Sequence, residues 1–192
     1  MDDASTEMER VDIFHVRPKT LTLRQKKLLE HLGPIYTKYD LFKRILMPLI
    51  CNRGKPISLR LLDWVVTNFA KKYRIGYIHE SELEPGIERH VNVYNSYQTN
   101  LDMFKRKNFD PFRRRARVFF FIDDVKYETT PGQLQFVLWA FKYGVIDYCI
   151  QRAEWLSRVM LKLLSDKKTH TIQNPLHGVY VYKYPRTLKL CF

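Results

Sequence analysis

The stretch from Arg117 to Thr129, RVFFFIDDVKYET, constrains the fold more than any other. Two runs rich in β-branched and aromatic residues, Arg117 to Ile122 and Val125 to Thr129, flank Asp123-Asp124. Aspartate tolerates the left-handed backbone of a tight hairpin turn, so the pattern predicts two antiparallel strands. The first run is apolar at successive positions, which predicts a strand covered on both faces and central in its sheet. Directly behind it, Thr130-Pro131-Gly132-Gln133 reads as a helix start, with Thr at the cap, Pro at the first helical position and Gln at the third. A hairpin followed at once by a helix makes the chain α+β.

Helices predominate elsewhere. Thr22 and Gln25 form a second capping box, and the helix it opens is predicted to stop at Gly33-Pro34. A helix from Ile35 to about Ile50 follows, with Tyr39, Phe42, Ile45, Leu46 and Leu49 as its apolar stripe and Pro48 in its last turn. Asn52 to Pro56 reads as a turn. Ser58 caps a third helix to Tyr73, whose inner face is Leu62, Val65, Val66, Phe69 and Tyr73. Short strands at Ile75 to His79 and Val91 to Tyr94 enclose an acidic loop, and Asn95 to Arg106 is helical. Leu134, Val137, Leu138 and Phe141 line a helix ending at Gly144, and one long helix is predicted from Val145 to Ser165. Gly178 to Phe192 alternates like a hairpin turning near Pro185. The expectation is a helix-rich single domain with short antiparallel hairpins. Residues 1–20 are expected to be a flexible arm, 21–55 a helical region and 56–192 the α+β core.

At 192 residues the chain is long enough to bury its own core. Cys51, Cys149 and Cys191 are odd in number and far apart, which argues against a disulfide framework or a structural zinc site. The polar, acidic start at Met1 to Arg10 is unlike a signal peptide, and no apolar run is long enough to cross a bilayer. An intracellular protein without membrane partners or cofactors is expected.

Charge is where composition becomes informative. Lys and Arg number 33 against 20 Asp and Glu, a formal net charge of +13, and such a field draws in polyanions. The excess is concentrated in Asp102 to Arg117, DMFKRKNFDPFRRRAR. Lys105, Arg106, Lys107, Arg113, Arg114, Arg115 and Arg117 oppose only Asp102 and Asp110, and two basic triplets bracket Asn108 to Phe112. Clusters of this kind bind phosphate backbones by displacing condensed counterions. Phe109 and Phe112 read first as hydrophobic pins of the Asp-Pro turn and second as platforms for unpaired bases, and Phe104 shares the second reading. Arg117 has Asp110, Asp123 and Asp124 as alternative partners. Lys71, Lys72 and Arg74 either extend the basic surface or complement a helix dipole.

Catalytic signatures are sparse. Glycine is too rare for a phosphate loop, no GxSxG occurs, and the six histidines never take HExxH spacing. His79, Glu80, Glu82 and His90 could meet across a hairpin around a metal, although a plain polar loop explains them. Asp110, Asp123, Asp124 and Glu128, with Lys126 activating water, outline a metal-dependent nuclease. The hairpin turn alone accounts for the aspartate pair.

Several strings in order carry a resemblance: Ser58-Leu-Arg-Leu-Leu-Asp-Trp64, Val66-Thr-Asn68 with Lys71-Lys72, and Tyr97-Gln98 with Leu101. Phe109-Asp-Pro-Phe112 with Arg114-Arg115 follows, then Gly132-Gln-Leu134, Phe136, Trp139-Ala140 and Ile146-Asp-Tyr148. Over about Pro56 to Tyr148 the chain resembles uncharacterised proteins of nucleocytoplasmic large DNA viruses. Arg113 stands where that pattern has a cysteine. The resemblance implies a viral protein of the infected cell, in the viral factory or nucleus or packaged in the virion. With the basic segment, it leads to an expected non-enzymatic nucleic-acid-binding accessory protein, DNA favoured over RNA, for viral DNA transactions, transcription or packaging. The alternative is a minor or internal virion protein gripping acidic capsid or core proteins.

Overall fold

The computed structural model describes residues 9–17, 20–51 and 57–166. The fold is α+β, rich in helix, with two small antiparallel sheets. The chain groups into two compact units, each assembled from separated stretches. The first takes the described residues up to 51 together with 101–138, and the second those of 57–100 with 139–166. The grouping therefore cuts across the sequential division at residues 20 and 55, because residues 101–138 join the N-terminal elements.

The first unit contains a four-stranded sheet in the order β1 (Glu9–Val11), β2 (Phe14–Val16), β5 (Val118–Ile122), β6 (Val125–Thr129). β5 is interior, as its apolar run predicts, but it is not covered on both faces, since Phe121 is 51% exposed. Asp123 and Asp124 make the turn with φ of 48° and 61°, the left-handed backbone for which aspartate suits the position. β1 and β2 lie within the stretch expected to be an arm. Val11, Phe14 and Val16 are buried, which ties residues 9–17 to the sheet through the His15–Phe119 and Val16–Val118 pairs. So short a run of alternation left little trace in the sequence. The unit's core is aromatic: Phe42 meets Phe14, Tyr36 and Phe120 at centroid distances of 5.9, 4.8 and 4.5 Å. The Tyr36 hydroxyl donates to the Leu134 carbonyl at 2.7 Å, and complete burial pushes this phenol well above its ordinary pKa.

Helix α1 (Leu23–Lys38) runs straight through the predicted stop at Gly33-Pro34. Gly33 serves another purpose there: a Cβ at this position would fall on the Asp12 carboxylate, so glycine lets the β1–β2 turn settle on the helix. The helix ends instead near Asp40, at φ 50°. A π-helical turn, Phe42–Leu46, leads into α2 (Met47–Cys51); of the predicted stripe, Phe42, Ile45, Leu46 and Leu49 are buried, while Tyr39, at the end of α1, is half-buried.

In the second unit α3 (Leu59–Trp64), a π-helical turn (Val65–Phe69) and α4 (Ala70–Tyr73) follow one another. The Ser58 side chain caps α3 as expected, accepting the Leu61 N–H at 3.1 Å. β3 (Gly76–Glu80) and β4 (Glu88–Asn92) form the second sheet. They are followed by α5 (Val93–Phe104), whose last residues, like those of α6 (Pro131–Lys142), fall on the other side of the division between units. Tyr77 stacks on Tyr148 at 5.7 Å, and the Trp139 indole N–H donates to Ser96 Oγ at 3.0 Å. The single helix predicted from Val145 is two, α7 (Val145–Gln151) and α8 (Ala153–Asp166), interrupted at Arg152. The Asn52–Pro56 turn and the predicted C-terminal hairpin lie outside the described residues.

Candidate functional site

The basic segment is a loop between α5 and β5 in the first unit, opened by a short 3-10 turn at Arg106–Asn108. Its charges and its apolar residues separate cleanly. Asn108, Phe109 and Pro111 are buried, while Lys105, Arg106, Lys107, Phe112, Arg114 and Arg115 are exposed. Phe109 lies against Phe104 at 6.1 Å and edge-on to Phe136 at 5.7 Å, so it is a pin of the turn and not a platform. Phe112, 49% exposed, stands outside. Asp110 shapes the turn between them, its Oδ1 accepting the Phe112 N–H at 2.9 Å.

Two helix N-termini hold the loop from beneath. Gln25 completes the predicted capping box of α1, its Oε1 accepting the Thr22 N–H at 3.0 Å. Its remaining amide nitrogen donates to Asn108 Oδ1 at 3.3 Å, a buried bond. At α6 the box is only half made. Thr130 Oγ1 accepts the Gln133 N–H at 3.2 Å, but the Gln133 side chain turns away, accepting from Thr129 Oγ1 at 2.7 Å and donating to the Pro111 carbonyl at 3.1 Å. Gly132 lets the loop lie close, since a Cβ there would stand 3.2 Å from the Asp110 backbone N and O. Arg24 adds a bond to the Met103 carbonyl at 3.1 Å. None of these anchors was singled out as part of the site, yet both glutamines carried a signal as third residues of capping boxes.

Lys105 and Ala116, at either end of the loop, have φ of 62° and 61°. Such backbone in residues other than glycine costs on the order of 1–3 kcal/mol each and persists where the surroundings impose it. Lys105, Arg106, Lys107, Arg114 and Arg115 form no ion pair with any described residue. Two expected members behave differently. Arg113 is half-buried, with its Nε enclosed and without a hydrogen-bond partner. It is also the position where the resemblance leads one to expect a cysteine. Arg117 pairs with Glu128 at 2.9 Å rather than with an aspartate, because β5 and β6 carry the two side chains on one face of the hairpin, and its Nε donates to the Arg114 carbonyl at 3.1 Å.

Lys71, Lys72 and Arg74 belong to the second unit. Lys71 lies over the Tyr94 ring at 5.8 Å and Lys72 over Tyr73 at 5.3 Å, while Arg74 takes the left-handed position that ends α4.

The carboxylates of the nuclease outline all have structural duties. Asp110 and the Asp123-Asp124 pair make turns, Asp123 also pairs with Lys43 at 3.0 Å, and Glu128 holds Arg117. Lys126 lies over the Phe119 ring at 4.0 Å. The hairpin set is divided by register: His79 is opposite Arg89 and His90 opposite Ile78, which puts the two histidines on opposite faces. Burial lowers the His79 pKa against the opposing pull of Glu80 and Glu82. Among the described residues no group of three or more His, Cys, Asp or Glu is arranged to hold a metal ion. Cys51 and Cys149 are free thiols, Cys149 fully buried and raised in pKa by that burial. No described helix is long and apolar enough to cross a membrane.

Comparison with known proteins places the chain in a family. A family of unknown function (DUF7197) matches residues 15–174. The chain belongs to that family. It is also 32% identical over 105 residues to "Uncharacterized protein L507" of Acanthamoeba polyphaga mimivirus. That match covers 52% of this chain and 39% of the relative, so the chain spans well under half the relative's length. The expected likeness to uncharacterised giant-virus proteins stands on this match. No solved structure matches the chain.

Proposed function

We propose that this viral protein is a non-enzymatic nucleic-acid-binding accessory factor whose loop contacts phosphates through Lys105, Arg106, Lys107, Arg114 and Arg115. One observation carries the reading. Five exposed cations, unpaired among the described residues, stand on a loop whose buried side is fixed by Asn108, Phe109, Pro111, Gln25 and Gln133. A flexible tail would let such charges spread apart; a pinned loop holds them together against their mutual repulsion, and an anionic partner relieves it. Phosphate suits the set because lysine supplies point charges and arginine a fork that grips two oxygens. DNA is the favoured polymer, in transcription, packaging or other handling of a viral genome.

The test is anisotropy of labelled DNA and RNA oligonucleotides at low salt, with polyglutamate as competitor. Binding that polyglutamate of equal charge displaces poorly supports the reading. No binding of either nucleic acid overturns it, and ready displacement by polyglutamate moves the role to acidic protein surfaces.

A further inference from the structure

The outer face of the four-stranded sheet adds an element that a phosphate-binding loop alone does not require. Because side chains alternate along a strand and directly paired residues share a face, Arg10, His15, Phe119 and Glu128 form one row across the sheet. Phe121 and Lys126 form the next row. The opposite face, with Phe14, Val16, Val118 and Phe120, is the core. On the outer face Phe121 is 51% exposed although it lies on an interior strand. His15 meets it edge-on, centroids 5.1 Å apart and planes at 84°. Its neighbour Phe119, about 7 Å along the strand, is covered by the Lys126 ammonium at 4.0 Å. Arg10, Arg117 and Lys126 are exposed, and the face's one carboxylate in these rows, Glu128, is held by Arg117.

From these positions we infer that the sheet face is a stacking platform for unpaired bases, and that the partner is therefore single-stranded nucleic acid. The inference rests on the phosphate-binding reading of the loop, with which the face is continuous: Arg117 sits at the foot of β5 and its Nε is bonded to the Arg114 carbonyl. Two physical arguments favour single strands. Four strands set about 4.8 Å apart, with side chains added, are too broad for a major groove about 12 Å wide that admits a helix or a two-stranded ribbon. Unpaired bases expose their faces, and an open phenylalanine flanked by cations satisfies base and phosphate together. An acidic peptide would answer the cations but leave Phe121 without a stacking partner.

The experiment compares an oligothymidylate with a blunt duplex of equal length by anisotropy, using the full chain and the variants Phe121→Ala and Phe121→Trp. The single strand is expected to bind more tightly; Phe121→Ala weakens it about ten-fold, Phe121→Trp retains it, and duplex binding is unchanged in both. Because Phe121 is half exposed, circular dichroism is expected to show all three proteins folded alike. If salt-sensitive binding persists but Phe121→Ala leaves single-strand affinity intact, this inference falls and the loop reading survives. If neither probe binds, both fall. If wild-type chain self-associates in sedimentation and Phe121→Ala abolishes it, the face belongs to a second copy and the inference is overturned.

Discussion

The loop from Lys105 to Arg117 and the end of α4 at Lys71, Lys72 and Arg74 use the same residue types to opposite ends. At the helix end the exposed cations rest on their own helix and its neighbours. Two lysines lie over tyrosine rings, all three residues sit near a helix C-terminus whose carbonyls favour cations, and Arg74 serves as the terminating residue. In the loop the polar and apolar parts are divided. Asn108, Phe109 and Pro111 are spent on anchoring, and five cations are left over. The two clusters differ in what holds them, a helix end in one case and a pinned loop in the other, and density in the sequence does not reveal that.

The comparison can be broken at several levels. Phe109→Ala removes the buried pin and is expected to destabilise the protein by about 3–5 kcal/mol, whereas Phe112→Ala changes stability by under about 0.5 kcal/mol. Denaturant melts that show equal costs would mean the loop is not anchored as described. Reversing Arg114 and Arg115 to Glu should weaken DNA binding on the order of 100-fold, while Lys71→Glu with Lys72→Glu should cost less than about three-fold. Equal losses in the two anisotropy titrations would erase the distinction between the clusters.

Anchoring itself is tested by Gln133→Ala, which leaves the Pro111 carbonyl unanswered. About 1–2 kcal/mol of stability should go with it, together with part of the affinity, because the charges then lose their fixed spacing. The smallest effect belongs to the helix end. Lys71→Met removes one cation–π contact at a cost of about 0.5–1 kcal/mol, read as a shift in denaturation midpoint with binding unchanged.

Much of this was legible in the sequence, and the parts that were not have physical causes. The β5–β6 hairpin, its central strand and the Ser58 cap follow from local chemistry, and the structure has them all. The break at Arg152 and the continuation of α1 through Pro34 do not, because packing decides them. Gly33 looked like a stop and is a point of close approach to the β1–β2 turn. The same limit applied to the site. Composition located the basic loop, but equal-looking arginines divide by burial and pairing, so that Arg113 is half-buried, Arg117 pairs with Glu128, and Arg114 and Arg115 remain outside. The outer sheet face was invisible because its residues come from β1, β2, β5 and β6, and only the register brings His15 to Phe119.

The central claim is that the loop's free cations contact phosphates, and the salt dependence of oligonucleotide binding tests it most directly. With about four of the five cations engaged on a single strand, the slope of log affinity against log salt should be roughly −3, and the Arg114→Glu, Arg115→Glu chain should flatten it to about half. A wild-type slope near zero, or a variant slope equal to the wild type, would contradict the account.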